Sequence, residues 1–221
     1  MNLEEAMKLR HSVRQYENKP LEAEIIAALQ SEIAVCNQEG DLHIQLVTNE
    51  PKAFDGFMAH YGKFSGVTNY IAMIGKKDGL DEKCGYYGER LVLLAQQLGL
   101  NTCWVAMSYS KIKTAFVIDK GEKLCVVIAL GYGSTQGIAH KSKPINEVIK
   151  TQEPMPEWFK NGVNAALLAP TAMNQQKFLL IRNGSEVLAK AGIGFYTKVD
   201  LGIVKYHFEI GAGKENFNWV S

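Results

Sequence analysis

Hydrophobic and polar positions along this chain switch between a helical and a strand period, and the switches mark its elements. Leu3, Ala6, Met7 and Leu9 recur at helical spacing, and Asn2 with Glu5 three places on forms a capping-box signature at the start of that run. A second helical pattern, led by Pro20, carries Leu21, Ile25, Ile26 and Leu29. From Leu42 to Thr48 apolar and polar residues alternate as in a half-buried strand; Pro51 opens a helix, and the apolar run from Tyr70 to Ile74 into Gly75 predicts a buried strand. Leu91, Leu94, Ala95 and Leu98 predict a long helix that Gly99 closes. There follow a strand at Trp104, a short helix from Lys111, a buried strand from Leu124 to Leu130 and a loop reaching Pro144. Pro154 and Pro156 break the chain before a helix bearing Trp158, Phe159, Val163 and Leu167. Helices and strands mix without strict βα alternation, so the expected class is an α+β sandwich. The proline pair is the expected boundary between a larger half, 1–150, and a smaller one, 151–221, closely packed or merged into one domain.

Composition narrows the function classes. With 221 residues and 47% hydrophobic content the chain is long enough for one large core or two joined lobes. A net charge of +1 leaves no general field for nucleic acid, so basic residues matter only locally. No apolar run approaches a membrane span, and Met1 to Glu5 lacks the pattern of a secretion signal, which makes the cytoplasm the expected compartment. Cys36, Cys84, Cys103 and Cys125 are widely spaced and read as reduced thiols, with Cys103 and Cys125 as small apolar fillers of buried strands. The five histidines are equally scattered, so no metal site is expected. Neither a nucleophile elbow nor a Gly-x-Gly-x-x-Gly turn is present.

The segment Arg10-His11-Ser12-Val13-Arg14-Gln15-Tyr16 concentrates the candidate chemistry. If it runs extended after the first helix, Arg10, Ser12 and Arg14 project to one face at period two, and two guanidinium forks with a hydroxyl make a claw suited to phosphate oxygens. A solvated basic turn, with Arg10 near a helix C-terminus, is the competing reading. Gly62, Lys63 and Gly66 form a second glycine-rich stretch before a strand, suited either to a surface turn or to a backbone lying against a flat cofactor.

The claw segment, placed after an N-terminal helix, resembles the opening signature of the FMN-dependent nitroreductase family. Glu89 to Trp104 is similar to the family's central helix and its Gly-Leu-x-Thr-x-Trp strand entry, and Leu124 to Gly133 to its last core strand with a Leu-Gly-Tyr exit. The resemblance implies an α/β/α sandwich whose central, mostly antiparallel sheet is flanked by helices, and an FMN phosphate held by Arg10, His11, Ser12 and Arg14. It places Lys141 and Lys143 where the family completes its phosphate site, although two lysines are point charges and read equally as exposed loop charge. It assigns backbone donors at Val105 and Ala106 to the flavin N5 edge, where a core strand is the plainer account. Lys63, on the cofactor reading of its loop, would balance charge at the flavin N1 and O2.

One landmark is displaced. Ala169-Pro170-Thr171-Ala172-Met173-Asn174-Gln175-Gln176 resembles the family's ring-facing loop, with Pro170, Thr171, Asn174 and Gln176 at the contact positions, but it stands in the last quarter of the chain. The usual place, around Ala34 to Gly40, shows nothing like it, and Lys177-Phe178 replaces the usual Pro-Trp. The departure points to a divergent branch similar to the nitroreductases first seen in thermophilic bacteria, the TM type. Two strand-and-turn stretches, Leu42 to Asn49 and Lys177 to Gly184, and two helix-glycine-strand stretches, Ala95 to Val105 and Glu209 to Val220, echo one another. They suit either two pseudo-equivalent halves or ordinary recurrence of common units. The claw would then be met by the far end of the chain or by that end of a second copy.

The resemblance implies an oxidoreductase passing electrons from NAD(P)H through FMN to a small organic acceptor, a nitroaromatic, a quinone or similar, by ping-pong exchange, with no catalytic side chain because the flavin carries the chemistry. It also implies a homodimer. A flavin-binding or FMN-sequestering protein without reductase activity, and a small-anion or nucleotide module with a degenerate flavin site, remain open.

Overall fold

The capping box at the N-terminus closes in both directions: the Glu5 N–H donates to Asn2 Oδ1 at 2.8 Å and the Asn2 N–H to Glu5 Oε2 at 3.0 Å. It opens helix α1 (Leu3–Leu9) in a computed structural model that describes residues 1–151 and 154–220. The fold is α+β, with six α-helices among the described residues and a four-stranded antiparallel sheet. The chain divides into two compact units: Leu9–Leu80 with Leu91–Ile138, and Met1–Lys8 with Asp81–Arg90 and Ala139–Ser221.

The first unit holds α2 (Ala23–Gly40), β1 (Gln45–Val47), α3 (Phe57–Tyr61), β2 (Asn69–Lys76), the C-terminal part of α4 (Leu80–Gln97), β3 (Asn101–Val105) and β4 (Glu122–Gly131). Its strands pair antiparallel in the order β1-β2-β4-β3. Tyr70 to Ile74 of β2 are buried without alternation, as in a strand covered on both faces. Helix α4 ends in a Schellman motif: Gly99, at φ 80°, donates to the Gln96 carbonyl and Leu100 to that of Ala95. The expected glycine stop is therefore built as the sequence implies.

Three local expectations change, and side-chain amides or carboxylates explain each. The strand from Leu42 shrinks to Gln45–Val47 because Asn37 takes both backbone groups of Ile44, at 2.7 and 3.0 Å. No helix follows Lys111: the Gln45 amide pairs in the same way with Val117, at 2.7 and 2.9 Å, and Ile112, Ala115, Phe116 and Ile118 turn toward the core instead. The helix opening at Pro51 is a short 3-10 turn, Lys52–Phe54, followed separately by α3; Glu50 caps the turn through the Lys52 and Ala53 N–H groups.

The second unit holds α1 up to Lys8, the Asp81–Arg90 part of α4, β5 (Ile149–Lys150), α5 (Glu157–Ala166), β6 (Phe178–Asn183), β7 (Glu186–Ala191), α6 (Thr197–Ala212) and β8 (Asn218–Trp219). Its sheet runs β5-β6-β7-β8, antiparallel only across the β6–β7 hairpin. Phe159, Phe208, Phe217 and Trp219 pack edge to face or tilted at its centre. Helices α4 and α6 cross almost backbone to backbone: a Cβ on Gly85 would lie 1.9 Å from the Val199 carbonyl oxygen, and one on Gly202 2.0 Å from that of Glu82. At the same crossing His207 Nε2 meets Glu89 Oε1 at 2.9 Å, both side chains fully buried, while its Nδ1 lies 3.1 Å from the Ala165 carbonyl.

Candidate functional site

After α1 the chain runs extended and is stitched to its unit on two sides. Ser12 bridges Thr102 of β3 and the Val13 N–H donates to the Thr102 carbonyl at 3.0 Å, while Arg14 and Tyr16 exchange backbone hydrogen bonds with Ser65, each 3.0 Å. Val13 and Tyr16 are the buried residues that set this register, and the Tyr16 hydroxyl donates back to the Val13 carbonyl at 2.7 Å. Gly66 is required here: at φ 70° a Cβ would lie 2.2 Å from the Tyr16 carbonyl oxygen. That close approach accounts for a glycine which, on sequence, also suited a flat cofactor.

The three claw residues gather around one side chain, Cys103 of β3. Burial raises the Cys103 thiol above its ordinary value, while the Arg14 charge, a hydrogen bond with Ser12 and the Arg10 charge pull it down. Arg10 is only 4% exposed, and its Nε has no hydrogen-bond partner among the described residues. A buried cationic donor left without an acceptor is costly, by about 1–3 kcal/mol or more, so this spot can take an acceptor, and an anionic oxygen suits it best. Arg14 is exposed, its guanidinium 5.9 Å from the centre of the Phe64 ring. His11 is half-buried beside Gly137.

A second set gathers in the other unit, on the turn after α5. Gln176, buried at φ 45°, accepts the Lys143 N–H at 2.9 Å and donates to the Lys141 carbonyl and Asn174 Oδ1, each at 2.9 Å. Asn174 Nδ2 also donates to the Lys141 carbonyl, and Lys143 Nζ to that of Gln176. Thr171 Oγ1 accepts the Gln176 N–H at 3.0 Å, and Pro170 before it is half-buried. Lys141, Lys143, Thr171, Asn174 and Gln176 thus belong to one network, although the sequence separates 141–143 from the turn by nearly thirty residues. His140 and Ser142 tie the same segment to the Leu167 carbonyl, at 2.9 and 3.0 Å.

A family model described as "Putative TM nitroreductase" matches residues 2–212. The chain belongs to that family. Among solved structures, a nitroreductase-type protein of Thermotoga maritima, described as putative, shares 23% identity over 97% of this chain and 85% of its own, with a TM-score of 0.66. Proteins of Desulfovibrio desulfuricans and Exiguobacterium sibiricum, described as putative nitroreductases in complex with FMN, share 15% and 16% identity; the matches cover 71% and 66% of this chain, 99% and 95% of theirs, with TM-scores of 0.53 and 0.55. No curated protein matches the chain.

In this TM-type nitroreductase chain the remaining candidates are placed individually. Lys63 is exposed at φ 62° in the turn after α3, its N–H bonded to the His60 carbonyl. Val105 is the buried last residue of β3 and Ala106 the half-buried one after it. Two residues that sequence reasoning passed over join the clusters. Cys103, read as strand filler, lies among the claw residues, and Asp200, 4% exposed on α6, accepts the Ala172 N–H at 2.9 Å and the Gln175 amide at 2.7 Å. A carboxylate amid Val199, Leu201, Ile203 and Val204 was the available signal for the latter. His43, Asp119 and Glu122 also lie together, a grouping the scattered histidines did not suggest. Burial raises the Glu122 carboxyl, but hydrogen bonds from His43, at 2.8 Å, and from the Asp119 N–H outweigh it and hold it below its ordinary value. The Glu122 oxygen is thus committed to fastening a turn. No described helix is long and apolar enough to cross a membrane.

Proposed function

We propose that this chain is an FMN-dependent oxidoreductase that takes electrons from NADH or NADPH and delivers them to a small organic acceptor, a nitroaromatic, a quinone or similar, by ping-pong exchange, the bound flavin supplying the redox chemistry. The observation that carries this reading is the buried Arg10 Nε without an acceptor, flanked by Ser12 and Arg14. Membership of the nitroreductase family and the FMN named for two structural neighbours support phosphate as the anion and FMN as its bearer.

The chain's own residues bind and orient. Arg10 and Arg14 supply charge and Ser12 a hydroxyl to the phosphate, with His11 beside them. Lys63 and the backbone at Val105 and Ala106 are assigned to the flavin ring edge. In the other unit Pro170, Thr171 and Asn174 are assigned to the flavin, Lys141 and Lys143 to anionic groups, and Gln176 to holding Asn174 in place, since its amide is already committed. The reading includes a homodimer working in the cytoplasm, where NAD(P)H is at hand.

The test begins with purified protein. A flavin absorption band bleached by NADH or NADPH is the expected result; a band that neither bleaches would leave a flavin binder, and a colourless protein that FMN cannot reconstitute would overturn both. Arg10→Ala and Arg14→Ala should each weaken FMN binding about tenfold or more, because a charged hydrogen bond contributes about 1.5–3 kcal/mol. Unchanged affinity in both variants would mean the claw is misassigned. Light scattering at the 24.5 kDa of one chain would reject the homodimer.

A further inference from the structure

The turn that carries Asn174 is strained and held. Met173, Asn174 and Gln176 all have positive φ, 53°, 53° and 45°, a conformation that non-glycine residues adopt at a cost. Met173 is 90% exposed, so its own burial does not compensate. The 141–143 segment holds the Asn174 and Gln176 end of the turn, and α6 holds the Ala172 and Gln175 positions. Asp200 Oδ1 accepts the Ala172 N–H and Oδ2 accepts from the Gln175 amide, whose second hydrogen goes to the Phe195 carbonyl, at 2.7 Å. Gly194 makes room for this amide, since a Cβ there would lie 2.4 Å from Gln175 Oε1.

We infer that Asp200 is a positioning residue: its carboxylate, acting through the Ala172 N–H and the Gln175 amide, sets the conformation in which the turn Thr171–Gln176 meets its ligand. This rests on the proposal that the turn faces the flavin. The chemistry requires an ionised acceptor. Both carboxylate oxygens receive N–H donors, so a proton on Oδ2 would set a hydroxyl against the Gln175 N–H, which cannot turn over without placing its oxygen against the Phe195 carbonyl. The hydrogen-bond donors to the carboxylate among the described residues are those two. No cation among the described residues is paired with it, and Lys177 Nζ is turned to the Ile193 carbonyl at 2.9 Å. Burial accordingly pushes the Asp200 pKa up to about 6, against the opposing pull of the Ala172 and Gln175 hydrogen bonds. The clamp therefore has a built-in acid limit within reach of ordinary conditions.

Hydrogen exchange tests the clamp without any cofactor, and FMN affinity tests its purpose. In the wild-type chain the protection of the Ala172 amide, corrected for intrinsic rate, should fall about tenfold from roughly pH 7.5 to pH 5. FMN affinity should fall over the same window. Asp200→Asn should show the low protection and weak FMN binding at every pH, and Asp200→Glu should restore some of the pH dependence. Gly194→Ala, which dislodges Gln175 and so removes one of the two donors to the carboxylate, should loosen the turn and shift the loss of protection to higher pH. Equal protection in wild type and Asp200→Asn, or equal FMN affinity and pH profile in the two, would overturn the inference. A wild-type chain that binds no FMN would instead sink the functional reading, with the exchange data still judging the clamp.

Discussion

Arg10, Gly66 and Asp200 show how much a single residue decides in this protein. Arg10 and Gly66 were both visible in the sequence as unusual, but the reason for each was a contact: an orphaned buried Nε for Arg10, and the Tyr16 carbonyl for Gly66. Gly66→Ala should lower stability by about 2 kcal/mol or more, since it combines a strained φ with an overpacked backbone contact. Denaturant titration measures this, and an unchanged midpoint would contradict the geometry. Asp200 was not visible as functional at all. Because its folded pKa lies above that of an ordinary carboxyl, at about 6, the folded state holds the proton more tightly than the unfolded one. Against global unfolding, which hydrates the carboxylate, the stability from this group is fully present below its unfolded pKa and is lost as pH rises through about 6; loosening of the turn alone removes the two donors and keeps the burial, so that local step has the opposite sign. Relative to Asp200→Asn, the wild-type melting temperature should therefore drop as pH increases across that window. A constant difference would remove the linkage.

At the scale of elements, helix starts and stops followed local signals closely. The Asn2–Glu5 box and the Gly99 stop are formed as their spacing implies, because capping satisfies backbone groups within one turn of the signal. Where side chains compete for the backbone, local signals fail. Asn37 takes both backbone groups of Ile44, 7 residues on, and Gln45 those of Val117, 72 residues on, shortening β1 and preventing a helix after Lys111. The α4–α6 crossing is a third case, since its glycines look like poor helix formers until the partner backbone is in place. Gly85→Ala should cost about 1–3 kcal/mol through overpacking despite alanine's better helix propensity. A thermal melt showing a stabilised variant would mean that the helices separate freely.

For the whole molecule, the two compact units are assembled from five chain segments, and the helix α4 is divided between them. Residues 1–150 expressed alone would leave the Asp81–Arg90 part of α4 without α6, exposing Gly85 and Glu89, which are buried in the full chain. Amides of 81–90 should then exchange rapidly in the fragment and slowly in the intact protein, and equal protection would show that this half of the helix stands without α6. The class of fold and the family were legible in the sequence, and the basic segment stood out in it as a candidate, because periodicity, capping and a short basic motif are local. The gathering of Arg10, Ser12 and Arg14 around Cys103, the joining of Lys141 and Lys143 to Asn174 through Gln176, and the Asp200 clamp were decided only by tertiary structure. Each depends on residues distant in the chain meeting in space, and neither composition nor spacing encodes which partners a buried polar group will find.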